Sequence, residues 1–435
     1  MNVRIVSSFL VPLRCAVPRA VTPRVSIVAR PGPTTGARAV DGGALNLGPG
    51  RGIMVAMRVP RWAIGLSALA ACGGGDTPAT VDATVDTPSE VDAAGPTLGT
   101  VVPVGACTEA LPTLLANARC EEVRVQCPGM ADATARMVIG EPTGPTVGTV
   151  VFGSGSSGAT LMEQATIRGD GTSAFVPELE ALRAAGYRVI ERAWQGGAGD
   201  PTGDDCSGVS GSFDVTVDRG WIRGTEGPDA AACRYATLLT YLHDRYDRDG
   251  AYCAVGFSGG SMELGMAVAR WDRARLLDYA LFVSGPVATF DDACHGSPGL
   301  SASCATVTAA QPWECGSTPP ACTLGDEIRC LLDRAYAGDQ VCMGGGADDA
   351  AALRADSVLA PGAPTQFPTT GLGVILGLRD CGSGAAIGGA DFATRVTGAD
   401  GPPTVDYISG AGHVVHRDPA GAARIASRVR AGCVP

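Results

Sequence analysis

A serine hydroxyl acts as a nucleophile only where it is exposed on a rigid turn and a base lies within reach. The chain of 435 residues contains one Gly-x-Ser-x-Gly stretch, Gly256-Phe257-Ser258-Gly259-Gly260. As a pattern it is weak evidence, because with so many glycines chance alone supplies about half a match. Its setting gives it weight. Ala251–Gly256 reads as an apolar strand, and GGSMELGMAVARW from Gly259 reads as a helix, so Ser258 falls on a strand-to-helix turn. A turn that sharp needs small residues two before and two after the serine. The hydroxyl then stands at a helix N-terminus, where the dipole favours developing negative charge.

The base should be a histidine, and the chain has four. His243 sits among charges at a helix end, YLHDRYDR, and reads as solvated surface; His295 lies in a cysteine-rich stretch. His413 and His416 follow the last expected strand, in ISGAGHVVHRDP. A Gly-Ala-Gly turn frees His413 to point back across the sheet edge, so it is the expected base, while His416 reads as an exposed turn residue or a group behind it. The third member must be an acid that orients the imidazole and stabilises its protonated form. Asp380 ends the strand-like GVILGLRD and is the first choice; Asp291 and Asp292, after the strand ending at Val283, are its rivals.

The elements that would position these residues alternate in type. Strands are expected over Val123–Cys127 and Arg136–Gly140, close enough to pair as a hairpin, and over Thr146–Phe152, Tyr187–Glu191, Ala251–Gly256, Tyr279–Val283, Gly373–Leu378 and Val405–Ser409. Helical spacing links Phe175, Leu179 and Leu182; a longer helix is expected from Asp229 to Tyr246, and a last amphipathic one carries Ile425 and Val429. Such alternation implies an α/β fold with a mostly parallel sheet covered on both faces. Residues 286–366 break the rhythm with six cysteines, many glycines and prolines, and few apolar runs. They read as an insertion closed by disulfides rather than by a core of its own.

The order Ser258, Asp380, His413 resembles that of the α/β-hydrolase family, whose triad runs serine, acid, histidine along the chain. The resemblance covers about residues 120–430 and is one of motif and order. It implies an eight-stranded sheet, a lid inserted where residues 286–366 fall, and an oxyanion hole of two backbone N–H groups. One would be that of Gly259; the other would come from the turn after Thr146–Phe152, at Ser154. Where the family often has His-Gly this chain has Phe152-Gly153, a change that leaves the backbone donors in place. The polar stretch Ala193–Ser212 reads as pocket mouth or plain loop.

Composition bounds the setting. Hydrophobic residues make up 45% and charged residues 18%, as in a globular protein. The net charge of -11, with all 33 basic residues arginine, argues against nucleic acid or an anionic membrane surface as partner. Nine of those arginines and only one acidic residue, Asp41, precede Cys72, so the remainder is more acidic still. Of 16 cysteines, setting aside Cys15 and Cys72 leaves an even number with no C-x-x-C pair. Disulfides in an oxidising compartment are the expected use, and zinc is not. Arg58 and Arg61, the apolar run Trp62–Ala71, and Leu69-Ala70-Ala71-Cys72 have the order of an export signal and resemble the lipobox of bacterial lipoproteins. The expected organisation is a leader over 1–56, a signal over 57–71, an acidic tether from lipidated Cys72 to 105, and a hydrolase domain over 106–435. Translation is expected to start at Met54 or Met57. Together these readings predict an exported, envelope-anchored serine hydrolase acting on a carboxylic ester without metal or organic cofactor. A serine peptidase and a non-catalytic binding lipoprotein of the same fold are the alternatives.

Overall fold

The computed structural model of the chain describes residues 96–108, 111, 113–167, 169, 171–195, 220–246, 250–296, 305–317, 319–337 and 339–434. The leader, signal, Cys72 and most of the tether lie outside the described residues, as does 196–212 of the polar stretch.

Nine strands form one sheet in the order β1-β2-β3-β5-β4-β6-β7-β8-β9. They are β1 Thr100–Ala106, β2 Arg119–Gln126, β3 Ala133–Gly140, β4 Gly148–Gly153, β5 Tyr187–Gln195, β6 Ala251–Phe257, β7 Tyr279–Val283, β8 Gly371–Gly377 and β9 Thr404–Ile408. The first three pairings along that order, β1 to β2, the expected hairpin of β2 with β3, and β3 to β5, are antiparallel. From β5 to β9 every neighbour is parallel. Expected hairpin and parallel strands are all present, and their order adds one strand to the eight that the α/β-hydrolase resemblance implies.

That extra strand corrects the tether. Residues 100–105 fall in the stretch read as tether, a segment expected to lack structure, but with Ala106 they form β1 and pair with β2. Its residues are largely exposed and its ladder slips between Pro103 and Gly105. An edge strand tolerates a proline and a bulge in this way, and shows no hydrophobic alternation to betray it.

The central strands are buried on both faces because alternate residues feed two cores. In β6, Tyr252 and Ala254 join one cluster while Ala251, Cys253 and Val255 join the other. The helices used below are α1 Val176–Ala184, α2 Gly227–Ala231, α3 Cys233–Tyr246, α4 Gly259–Ala269, α5 Phe290–His295, α6 Asp326–Asp333, α7 Val341–Gly344, α8 Ala347–Ala355, α9 Ala385–Arg395 and α10 Pro419–Gly432. α3, α4 and α9 cover the first face; α1 and α10 cover the second. The single helix expected from Asp229 to Tyr246 is two, broken around Ala232.

The insertion has more core than expected. Leu331, Leu332, Val341, Leu353 and Val358 are buried in the same cluster as the sheet. Its apolar residues are spread over short helices, so no single run announces them. Disulfides join Cys294 to Cys342 within it and Cys315 to Cys381 at its exit; Cys107–Cys120, Cys127–Cys233 and Cys253–Cys433 brace the rest.

Candidate active site

Ser258 lies between β6 and α4 with φ 52° and ψ -115°, a backbone that a non-glycine residue adopts only under constraint. The constraint is packing. A Cβ at Gly256 would stand 2.3 Å from the Gly260 carbonyl oxygen, and one at Gly260 would stand 2.6 Å from those of Gly153 and Ser154. The backbone can close this tightly only with glycine at both places. Met262 N–H donates to Ser258 O at 3.1 Å, so the serine carbonyl starts the helix. The N–H of Gly259, in the first turn, has no intrahelical acceptor to reach.

His413 leaves the loop after β9 and meets the serine from the other side. Ser258 Oγ and His413 Nε2 are 2.8 Å apart, and His413 Nδ1 is 2.8 Å from Asp380 Oδ2. With the proton on Nδ1, the imidazole donates to the carboxylate and accepts from the serine. Asp380 is almost fully buried while His413 is about one-third exposed. Ser383 donates to the other Asp380 oxygen at 2.5 Å, and Ser284 donates to the His413 carbonyl at 2.6 Å, fixing both loops.

The rival residues are elsewhere. Asp291 is held by Arg354, and Asp292 accepts from Thr289. His243 meets Tyr252 edge-on, and His295 shares a hydrogen bond with Val341 O. His416 overturns the exposed-turn reading: it is completely buried, 4.4 Å from the Phe257 ring and 5.4 Å from that of Phe175. Burial pushes its pKa down to about 3, so it is neutral, and its Nε2 donates to Met162 O at 3.2 Å. It backs the serine turn through Phe257. The phenylalanines that bury it are remote in sequence, which is why spacing could not locate it.

The Ser154 side chain does not line the cleft. Its hydroxyl is buried and donates to Thr160 O. Ser156, at φ 52°, lines the cleft with Ser258, and its backbone lies against Gly259. Beneath the turn lies Arg192, paired with Glu263 of α4, which also accepts from Trp194 Nε1 at 2.7 Å. Burial lowers the Arg192 guanidinium to about 10, still protonated at neutral pH. Trp194, in the stretch read as pocket mouth or plain loop, is thus a buried strut between β5 and α4.

A cleft of about 460 Å³, counting its open mouth, runs from Ser258 and His413. Trp221, Ile222 and Met262 line it together with Ile328, Leu331 and Leu332, one face of α6. Spacing by three and four on that helix carries the insertion into the cleft wall. Among the described residues no aspartate, glutamate or arginine lines it, and no cluster of side chains suits a metal.

Sheet, serine turn and relay define a chain with the α/β-hydrolase fold. No protein-family model matches the sequence, and no curated protein matches it. Among solved structures, similar ones are found at low identity. Brefeldin A esterase, described as a bacterial homologue of human hormone-sensitive lipase, has a TM-score of 0.44 at 14% identity, over 76% of this chain and 80% of its own. A Pyrobaculum calidifontis esterase has a TM-score of 0.43 at 14% identity, over 75% and 88%. A Pyrococcus horikoshii acylaminoacyl peptidase has 0.41 at 12% identity, over 74% and 43%.

Proposed function

We propose that the protein hydrolyses a carboxylic ester through an acyl-enzyme on Ser258. The observation that carries this is the unbroken relay of two 2.8 Å hydrogen bonds from Ser258 through His413 to buried Asp380, opening on an apolar cleft. Ser258 Oγ attacks the ester carbonyl carbon while His413 Nε2 takes its proton. The carbonyl oxygen becomes an oxyanion, held by the Gly259 N–H and by backbone of the turn at Ser156. Each such donor is worth about 2.7–4 kcal/mol. As the intermediate collapses, the proton passes from His413 to the leaving alkoxide and the alcohol departs. Water, deprotonated by His413, then attacks the acyl carbon and frees the acid and Ser258. Asp380 stays ionised and stabilises the imidazolium in both halves.

The lining, uncharged among the described residues, favours a neutral acyl or alkyl group over a charged side chain, which supports an ester ahead of a peptide. The disulfides named above suit an oxidising compartment, and with the signal and lipobox-like Cys72 they support export and lipid anchorage at the cell envelope. Purified protein should release p-nitrophenol from p-nitrophenyl butyrate, with Ser258→Ala at background. Cleavage of acyl-peptide anilides but not of any ester would replace the ester reading by a peptidase. Equal rates for both proteins would leave a binding protein. Retention of Cys72→Ser in the membrane fraction would contradict the anchor.

A further inference from the structure

The loops that carry Asp380 and His413 leave adjacent strands, β8 and β9, and one short stretch of the insertion grips both. Glu314 N–H donates to Leu378 O at 2.9 Å, two residues before Asp380. The Glu314 carboxylate accepts from the Ser409 hydroxyl and from Gly410 N–H at 3.0 Å, on the loop leading to His413. It also accepts from Arg379 Nε at 3.0 Å. The next residue, Cys315, is disulfide-bonded to Cys381, the neighbour of Asp380. The residue before, Trp313, meets Tyr407 of β9 edge-on at 5.9 Å. None of these residues lines the cleft.

We propose that Trp313-Glu314-Cys315 is a clasp that holds the acid loop and the histidine loop in register. Glu314 and the Cys315–Cys381 disulfide are then positioning residues for the relay. The inference rests on the hydrolase reading only for its kinetic consequence. A relay tolerates about 0.5 Å of error, and loop ends free of the packed sheet need outside support to keep it. The two bonds from Ser409 and Gly410 are what count in Glu314, because they reach the loop that carries His413, whereas the solvent-facing Arg379 pair is worth little. These bonds and the Arg379 pair hold the Glu314 carboxyl below the usual range. In Glu314→Gln the amide oxygen can take the place of Oε2 and accept from Gly410 N–H, while the amide NH2 faces the Ser409 hydroxyl, which can turn to accept, so the contacts survive without the charge.

The test compares Glu314→Ala, Glu314→Gln, Cys315→Ser with Cys381→Ser, and Cys107→Ser with Cys120→Ser as a distant disulfide control. Readouts are kcat and KM on p-nitrophenyl butyrate, thermal melting, and the low-field proton resonance of His413 Nδ1–H, assigned by its loss in His413→Gln. Glu314→Ala and the Cys315/Cys381 double variant should lose about tenfold or more in kcat with KM within twofold, and should weaken that resonance. Glu314→Gln should stay within about threefold of wild type, and the control pair should match wild type. Unchanged kcat and an intact resonance in Glu314→Ala and the double variant would overturn the clasp. So would a loss that tracks melting temperature equally in the control. Should the double variant fold poorly, opening Cys315–Cys381 in folded wild-type protein by mild reduction and alkylation supplies the same comparison. Inactive wild-type protein would sink the hydrolase reading alone, since the resonance still reports the clasp.

Discussion

Replacing Gly260 by alanine should damage both the fold and the chemistry. The new methyl would stand 2.6 Å from two carbonyl oxygens, those of Gly153 and Ser154. Ordinary contact begins at 3.4 Å, so β4 and the serine turn must part by about 0.8 Å, the difference between the two. Backbone cannot rotate aside as a side chain can. Overpacking of this kind costs about 1–3 kcal/mol. For a domain of this size that lowers the melting temperature by a few degrees, roughly 2–4 °C per kcal/mol at most. The displaced atoms are the turn that faces the reacting carbonyl, and a shift near 1 Å in such a group costs about a hundredfold in rate. Thermal melts and steady-state kinetics on one ester, with wild type and Ser258→Ala alongside, measure both effects. A Gly260→Ala protein with wild-type melting temperature and kcat would refute the packing argument for the turn.

Asp380→Asn should lower kcat by about 10⁴ with little change in melting, because the amide orients the imidazole wrongly; Asp291→Asn, away from the relay, should stay within about twofold. Kinetics of the pair distinguishes them, and equal losses would contradict the assignment of the acid. Buried His416 makes a pH prediction. Its folded pKa is about 3, below the unfolded value near 6.5, so only the unfolded state gains the proton in between. Stability should fall as pH drops below about 6.5, by up to about 1.4 kcal/mol per unit, and His416→Gln should flatten that slope in urea titrations at pH 7 and pH 5. Parallel slopes would contradict it. Under graded reduction with alkylation, half-buried Cys315 and Cys381 should be labelled before fully buried Cys253 and Cys433; the reverse order by mass spectrometry would count against access as the control.

The relay was legible because each member stands at the end of a strand whose pattern is plain: β6 before Ser258, β8 before Asp380, β9 before His413. The fold class was legible for the same reason, since continuous apolar runs with helices between them have few parallel arrangements. What stayed hidden depends on contacts remote in sequence. Ser156 lines the cleft on a turn with positive φ there, and residue types at that turn do not report φ. His416 is buried by Phe175 and Phe257, and β1 is fixed by β2 rather than by any pattern of its own. The insertion's core is dispersed over α6 to α8, so its shared burial with the sheet needed the fold to become visible.

The most direct test of the account is covalent labelling with a fluorophosphonate probe. The account predicts that the folded wild-type protein is labelled, that the adduct maps by mass spectrometry to Ser258, and that Ser258→Ala and His413→Gln are not labelled. A folded protein that takes up no label, or takes it equally without Ser258, would contradict a nucleophilic serine at this turn.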